Sequence, residues 1–193
     1  MFGSLFGNKK KTYFTFKVSM NRPILDAMLA QGISVNEWMV ITFFNETRNN
    51  ISRIINNETL EEHLISSDKI VAGNAIQKIK TFLSQPGKMI VFAERHPLSS
   101  HEEQVAEKLS ENGVSLPIIT FASLDDALLQ HFGGEKVKSM MQRMGMKEEE
   151  MIEHSMIEKS IENAQAKIAK KVFTESKTNS AEEWFRMNFQ TGN

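Results

Sequence analysis

The chain has 193 residues, enough for one sizeable domain with an appendage and too few for two full domains of ordinary size. Hydrophobic residues make up 40% and charged residues 24%, ordinary for a soluble globular protein, and a formal net charge of -1 gives no global field for nucleic acid or anionic lipid. The lack of cysteine excludes disulfides, thiolate metal sites and cysteine nucleophiles, and no apolar run reaches the roughly 18 residues of a membrane span.

Residues 1–11 set Phe2, Leu5 and Phe6 ahead of Lys9, Lys10 and Lys11, the reverse of the order in a secretory signal, so the cytoplasm is the expected location. The segment reads as a flexible terminus. Its pattern also allows weak peripheral contact with an anionic membrane, marginal because only three apolar side chains would be buried.

Residues 12–20 hold Tyr13, Phe14, Phe16 and Val18 and are predicted to form a strand. Asn21 then suits an N-cap and Pro23 a first turn. Ile24, Leu25, Met28 and Leu29 recur at helical spacing, with Gly32 placed as a C-terminal cap. Residues 38–44 are almost unbroken apolar, as expected of a strand covered on both faces. Residues 45–64 are polar and asparagine-rich, with Ile51, Ile54, Ile55 and Leu60 indicating partial helix. A helix is predicted over 72–83, ended by Pro86-Gly87, and a strand over 88–93, carried by Met89, Ile90, Val91 and Phe92. Ser99 and Ser100 each have a glutamate three residues on, Glu102 and Glu103, the capping-box spacing. The helix they open has Val105 and Leu109 on its apolar side and Gly113 at its end, and residues 116–121 read as a further strand.

Strands alternating with helices imply an α/β fold, a mostly parallel sheet with helices on both faces. After Phe121 the pattern turns helical. Ser123 is placed to cap a short helix through Ala127, Leu128 and Leu129, stopped by Gly133-Gly134. A methionine-rich stretch follows, with Met140, Met141, Met144 and Met146. Beyond Lys147 a long helix carries Ile157, Ile161, Ala164, Ile168 and Val172 as an apolar stripe that requires a partner surface. Ser180 and Glu183 repeat the capping-box spacing ahead of Trp184, Phe185 and Phe189. The expected organisation is a flexible segment 1–11, an α/β domain 12–134 and a helical extension 135–193.

Few catalytic constellations are present. There is no G-x-x-x-x-G-K-[ST] phosphate loop and no G-x-S-x-G elbow. His101-Glu102-Glu103-Gln104-Val105 begins like a zincin helix, but Val105 stands where a second histidine is needed. His96 and His101 lie five apart, a poor spacing for one helical face, so no metal or other cofactor is expected. Asp125-Asp126 and residues 148–150 read as helix-start charge and solvated surface, and the Asn-x-Ser/Thr triplets at Asn45, Asn50 and Asn57 as polar surface. Glu94-Arg95-His96 is the exception. It sits at the carboxyl end of a predicted strand, where α/β proteins bind ligands, or else serves there as a structural salt-bridge and capping cluster.

Ser123-Leu124-Asp125-Asp126-Ala127-Leu128-Leu129, Phe132, Val137, Met140-Met141, Met144-Gly145-Met146, Ile152-Glu153-His154 and Ser160-Ile161-Glu162-Asn163-Ala164-Gln165 form one extended pattern. It resembles the region of the preprotein translocase ATPase SecA where the second nucleotide-binding domain hands over to the central scaffold helix. Glu94-Arg95-His96 is similar to the Glu-Arg-His that precedes the last helicase-type motif of that family. The resemblance spans roughly residues 12–172, most densely in its last third, and implies a RecA-like, helicase-type second motor domain.

The family's next segment, Gln-Leu-Arg-Gly-Arg-x-Gly-Arg-Gln-Gly, carries arginines that reach the nucleotide phosphates. Residues 104–113 stand there in this chain, with Ala106, Lys108 and Glu111 in place of those arginines. Ala72-Gly73-Asn74-Ala75-Ile76-Gln77 is similar, through Ala72, Gly73 and spacing, to the family's Ala-Gly-Arg-Gly-Thr-Asp, again without the arginine and aspartate. The resemblance therefore implies a degenerate domain without ATPase activity, since loss of an arginine finger alone costs roughly a thousandfold in rate. The expected role is a protein-interaction module, linked to the Sec machinery or self-associating, through Met140, Met141, Met144, Ile157, Ile161, Ile168, Trp184, Phe185 and Phe189. The alternative is a nucleotide-sensing accessory subunit that completes a site with a separate motor chain, using Glu94, Arg95 and His96.

Overall fold

Every strand pairing in the five-stranded sheet is parallel, in the order β1-β5-β4-β2-β3. The computed structural model describes residues 14–115 and 118–189. The 1–11 segment with its membrane-contact pattern, residues 12–13 of the first strand and residues 116–117 of the last lie outside the described residues. In chain order the elements are β1 (Phe14–Ser19), α1 (Arg22–Ser34), β2 (Trp38–Thr42), α2 (Asn45–Ile55), α3 (Glu58–Glu61), β3 (Leu64–Ser66), α4 (Ser67–Val71), α5 (Ile76–Leu83), β4 (Met89–Phe92) and α6 (Ser99–Glu111). There follow β5 (Ile118–Ser123), α7 (Ala127–His131), α8 (Gly134–Arg143), α9 (Ser155–Ala169) and α10 (Ala181–Asn188).

Successive strand residues face opposite sides of a sheet, and here both sides are apolar because both are covered. Met39, Ile41, Ile90 and Phe92 pack with Ile70 of α4, Ile79 and Phe82 of α5, and Val105 and Leu109 of α6. Their neighbours Val40, Val91 and Ala93 pack the other way, with Leu25, Leu29 and Ile33 of α1 and Ile51 of α2. Helices thus cover both faces.

Three local expectations are corrected. Gly32 does not end α1, which runs on to Ser34. A Cβ at Gly32 would overlap the indole of Trp38, and that ring stacks on Phe121 with centroids 5.6 Å apart, so the glycine makes room for the helix–strand contact. The helix expected over 72–83 starts later, as α5 at Ile76: residues 72–75 form a turn with Gly73 at φ 82, and a separate short helix, α4, ends before it at Val71. The short β3, added to the sheet edge beside β2, went unread because three residues at the end of a polar segment carry almost no periodicity.

Beyond β5 the chain returns over the carboxyl ends of β1 and β5. Ile152 pairs with Val18 in an isolated antiparallel bridge, its N–H and C=O both bonded to Val18. Val18, Met20, Phe44, Ala122 and Leu124 form one cluster with Ile161, Ala164 and Ile168 of α9 and with Trp184, Phe185 and Phe189. The apolar stripe of α9 is therefore covered by the chain's own tail and sheet. Val172 lies past the end of α9 but still packs against the same cluster. The Ser180 capping box forms in part: Ser180 Oγ accepts from the Glu183 N–H, while the Glu183 carboxylate reaches back to the Asn179 N–H, one residue before the cap. Among the described residues no helix is long and apolar enough to cross a membrane.

Candidate functional site

The chain leaves β2 for α2 on one face of the sheet and β4 for α6 on the other. The crevice between the carboxyl ends of these adjacent strands is thus a topological switch point, the usual ligand site of an open parallel sheet. Glu94, Arg95 and His96, which follow β4 directly, are brought together there, each 5% exposed.

Glu94 fills the crevice from within. Its Oε1 accepts from the backbone N–H groups of Phe43 and Phe44, at 2.9 and 3.0 Å, where the chain enters α2. Its Oε2 accepts from the Thr47 hydroxyl at 2.5 Å. Amides leading into a helix N-terminus are natural anion donors, and here an internal carboxylate occupies those of the N-cap residue Phe44 and of Phe43 before it. Burial pushes the Glu94 pKa up from 4.5 to about 7, against the lowering pull of Arg22 and of these donors.

A pH dependence follows. The folded pKa lies above the unfolded one, so the contribution of Glu94 is complete below pH 4.5 and is lost as the pH rises through about 7. Burial holds His96 down at about 3, with the adjacent His101 adding to the effect, which gives an opposite slope. That slope is shared by a Glu94→Gln variant and cancels in the comparison. The stability of the natural chain relative to Glu94→Gln is expected to fall by about 3 kcal/mol between pH 4.5 and 7, as read from urea denaturation at each pH.

Arg95 turns away from the crevice into a closed network. Its Nε and Nη2 donate to the two carboxylate oxygens of Glu102, each at 2.8 Å, a bidentate pair that is 4% and 1% exposed. Its guanidinium carbon lies 4.1 Å from the centroid of the Phe16 ring. Gln165 of α9 closes the network, accepting from Arg95 Nη2 at 2.9 Å and donating to the His96 carbonyl at 2.8 Å and to Glu102 at 3.1 Å. Glu102 also accepts from the His96 N–H. The Ser99–Glu102 spacing is therefore not a capping box; no side chain caps α6, because its glutamate is drawn inward by the buried guanidinium.

A second ion cluster flanks the first. Arg22 bonds Asp26 at 2.6 Å, Asp126 at 3.4 Å and the Ala93 carbonyl at 3.0 Å, while Lys138 bonds Asp125 at 2.6 Å. Burial opposes the charge of Arg22, yet Asp126, Asp26 and Glu94 outweigh it and hold its pKa above the ordinary value. Asp125 and Asp126 are thus the partners of this cluster and not merely solvated helix-start charges.

The remaining predicted residues divide. Ile161, Ile168, Trp184, Phe185 and Phe189 are buried in the core, and Met141 and Ile157 are packed partly against it. Met140 and Met144 stay open, 50% and 65% exposed. Beside the crevice, His96 and His101 have ring centroids only 4.0 Å apart, because His96 lies in the loop before α6 and not on its helical lattice. Glu175, between α9 and α10, joins them: its Oε2 lies 2.7 Å from His101 Nε2 and its Oε1 3.7 Å from His96 Nε2. Glu175 carried no sequence signal, since what brings it to His101 is a contact across 74 positions.

No family model matches the chain. It is similar to protein translocase subunit SecA of Acinetobacter baylyi, 38% identical over 94 residues, which is 49% of this chain and 10% of the relative. SecA of Brachyspira hyodysenteriae is 36% identical over 110 residues, 56% of this chain and 11% of the relative. SecA of Christiangramia forsetii is 35% identical over 109 residues, 56% of this chain and 10% of the relative. The chain thus spans about a tenth of the length of the curated relatives it matches. About half of this chain is a SecA-like region, carried on an α/β domain with an all-parallel sheet.

Proposed function

We propose that the chain is a catalytically inactive, cytoplasmic SecA-like domain that acts as a protein-interaction module linked to protein translocation. The observation that carries this reading is that the switch-point crevice is occupied by the chain itself. Glu94 takes the Phe43 and Phe44 amides that lead into α2, and the nearby cations Arg22, Arg95 and Lys138 are already paired with Asp26, Asp126, Glu102 and Asp125. A phosphate arriving there would meet carboxylates before it met a free cation. On α6, where the family resemblance places three phosphate-reaching arginines, Ala106 is fully buried, Lys108 alone keeps a positive charge and is half-buried, and Glu111 is exposed but acidic.

The interaction surface narrows accordingly. Met140 and Met144 remain available, with Met141 and Ile157 at the rim, while the other candidates belong to the core. Deleting the tail would unfold that core, so point changes are the proper probes. Light scattering of the purified chain, alone and mixed with SecA, is expected to show a homo-oligomer or a mixed complex that Met140→Glu/Met144→Glu abolishes. A monomer in both settings overturns the module reading. The same samples are expected to show no ATP turnover above buffer. Unaided turnover that an Arg95 substitution abolishes overturns the inactive reading, and heat on adding ATP only beside SecA would instead favour an accessory subunit.

A further inference from the structure

We propose that His96, His101 and Glu175 form a binding site for a divalent transition-metal ion, zinc by donor type, that fastens the segment between α9 and α10 to the α/β domain. The three ligand atoms lie within 4.8 Å of one another. Two imidazoles and one carboxylate are a donor set that zinc accepts with a fourth position left to water. In tetrahedral zinc with bonds of about 2.0–2.1 Å, ligand atoms stand roughly 3.3 Å apart. The 3.7 Å and 2.7 Å separations of Glu175 from His96 and His101 bracket that value.

The surroundings orient the donors. His96 Nδ1 lies 3.2 Å from the Leu98 carbonyl, and a proton there leaves Nε2, which faces Glu175, free to coordinate. Leu98 N–H also approaches Nδ1, at 3.1 Å, so metal binding would select between two tautomers that both already have a partner. Trp184 Nε1–H donates to Glu175 Oε1 at 2.5 Å, fixing the carboxylate as an outer partner does in metal sites. His96 also lies flat against Phe44, with ring centroids 5.3 Å apart, so its position is held by packing. The site is reachable as well as ordered. It opens on a cleft of about 440 Å³ lined by Phe44, Asp68, Gln104 and Lys177, and His101 and Glu175 are 39% and 26% exposed. Those two side chains can therefore part by the half-ångström that coordination requires.

The three ligands come from the β4–α6 loop, the first turn of α6 and the tail, so a bound ion would cross-link elements distant in sequence. This inference is independent of the nucleotide question.

The test is calorimetric titration of the chelator-stripped full chain with zinc chloride, repeated with cobalt chloride for its visible spectrum. One ion per chain is expected, with absorption of a four- or five-coordinate cobalt centre and a melting temperature raised by roughly 5–10 °C at a hundredfold excess over Kd. His101→Ala is expected to weaken binding roughly a hundredfold or more. Glu175→Gln keeps an oxygen to accept from Trp184 and is expected to weaken it too, which separates lost coordination from lost folding. His154→Ala, altering a surface histidine that caps α9, is expected to leave the zinc affinity unchanged. No zinc binding, or binding that survives His101→Ala and Glu175→Gln in folded protein, overturns the proposal and leaves a hydrogen-bonded latch.

Discussion

Glu102→Ala is expected to cost about 3–5 kcal/mol of folding stability, the loss seen when one partner of a buried ion pair is removed. The carboxylate is 1% exposed and accepts four hydrogen bonds: two from Arg95, one from the His96 N–H and one from Gln165. Without it the guanidinium stays buried with Nη1, which already has no hydrogen-bond partner, and with only Gln165 and the face of Phe16 against it. The desolvation cost of the cation is then uncompensated. Replacing both partners, as in Arg95→Met/Glu102→Leu, removes the charge along with its counter-charge and is expected to be less damaging than the single change. A double-mutant cycle in urea measures the coupling directly. Because the pair is screened from solvent, the result is expected to hold at high salt.

Trp184→Ala is expected to cost a similar 3–5 kcal/mol, for a different reason. The indole is 1% exposed, lies edge-on to His96 with centroids 5.8 Å apart, and meets Phe185 at 5.4 Å. Its removal leaves a cavity where the tail joins the α/β domain and strips Glu175 of its indole donor. Both effects loosen α10 from the stripe of α9, so protease cleavage between residues 170 and 180 is expected to accelerate together with the fall in thermal midpoint. Trp184→Phe retains most of the ring volume and is expected to recover much of the loss. Phe173, 90% exposed in the same segment, is the control: Phe173→Ala is expected to stay within about 0.5 kcal/mol.

The positions of β1, β2, β4 and β5 along the chain were legible in the residues because burial leaves a pattern, whereas their order in the sheet was not. Apolar runs such as 38–44 and 88–93 mark strands covered on both faces, and the recurrences at Ile24, Leu25, Met28 and Leu29 and at Val105 and Leu109 mark helices with one buried side. The SecA-like pattern was legible for another reason, being written in residue types over a continuous stretch. β3 and the break between α4 and α5 were not legible, since neither is long enough for a period to show.

What the sequence determined by itself was which apolar stripes and runs need cover, and that a charged trio follows β4; that the trio is buried was decided by the fold. Which partner each one finds was decided only by tertiary structure. Glu102 carried the spacing of a cap and became the counter-ion of Arg95; Gln165 meets it from 63 residues away, and Glu175 meets His101 from 74. The physical reason is that periodicity records a side chain's average surroundings, apolar or wet. Hydrogen bonds and ion pairs depend on the position of individual atoms, and the crossing of distant segments sets those positions. For the same reason the stripe on α9 announced that something must cover it, and only the folded chain supplied Trp184, Phe185 and Phe189 as the cover.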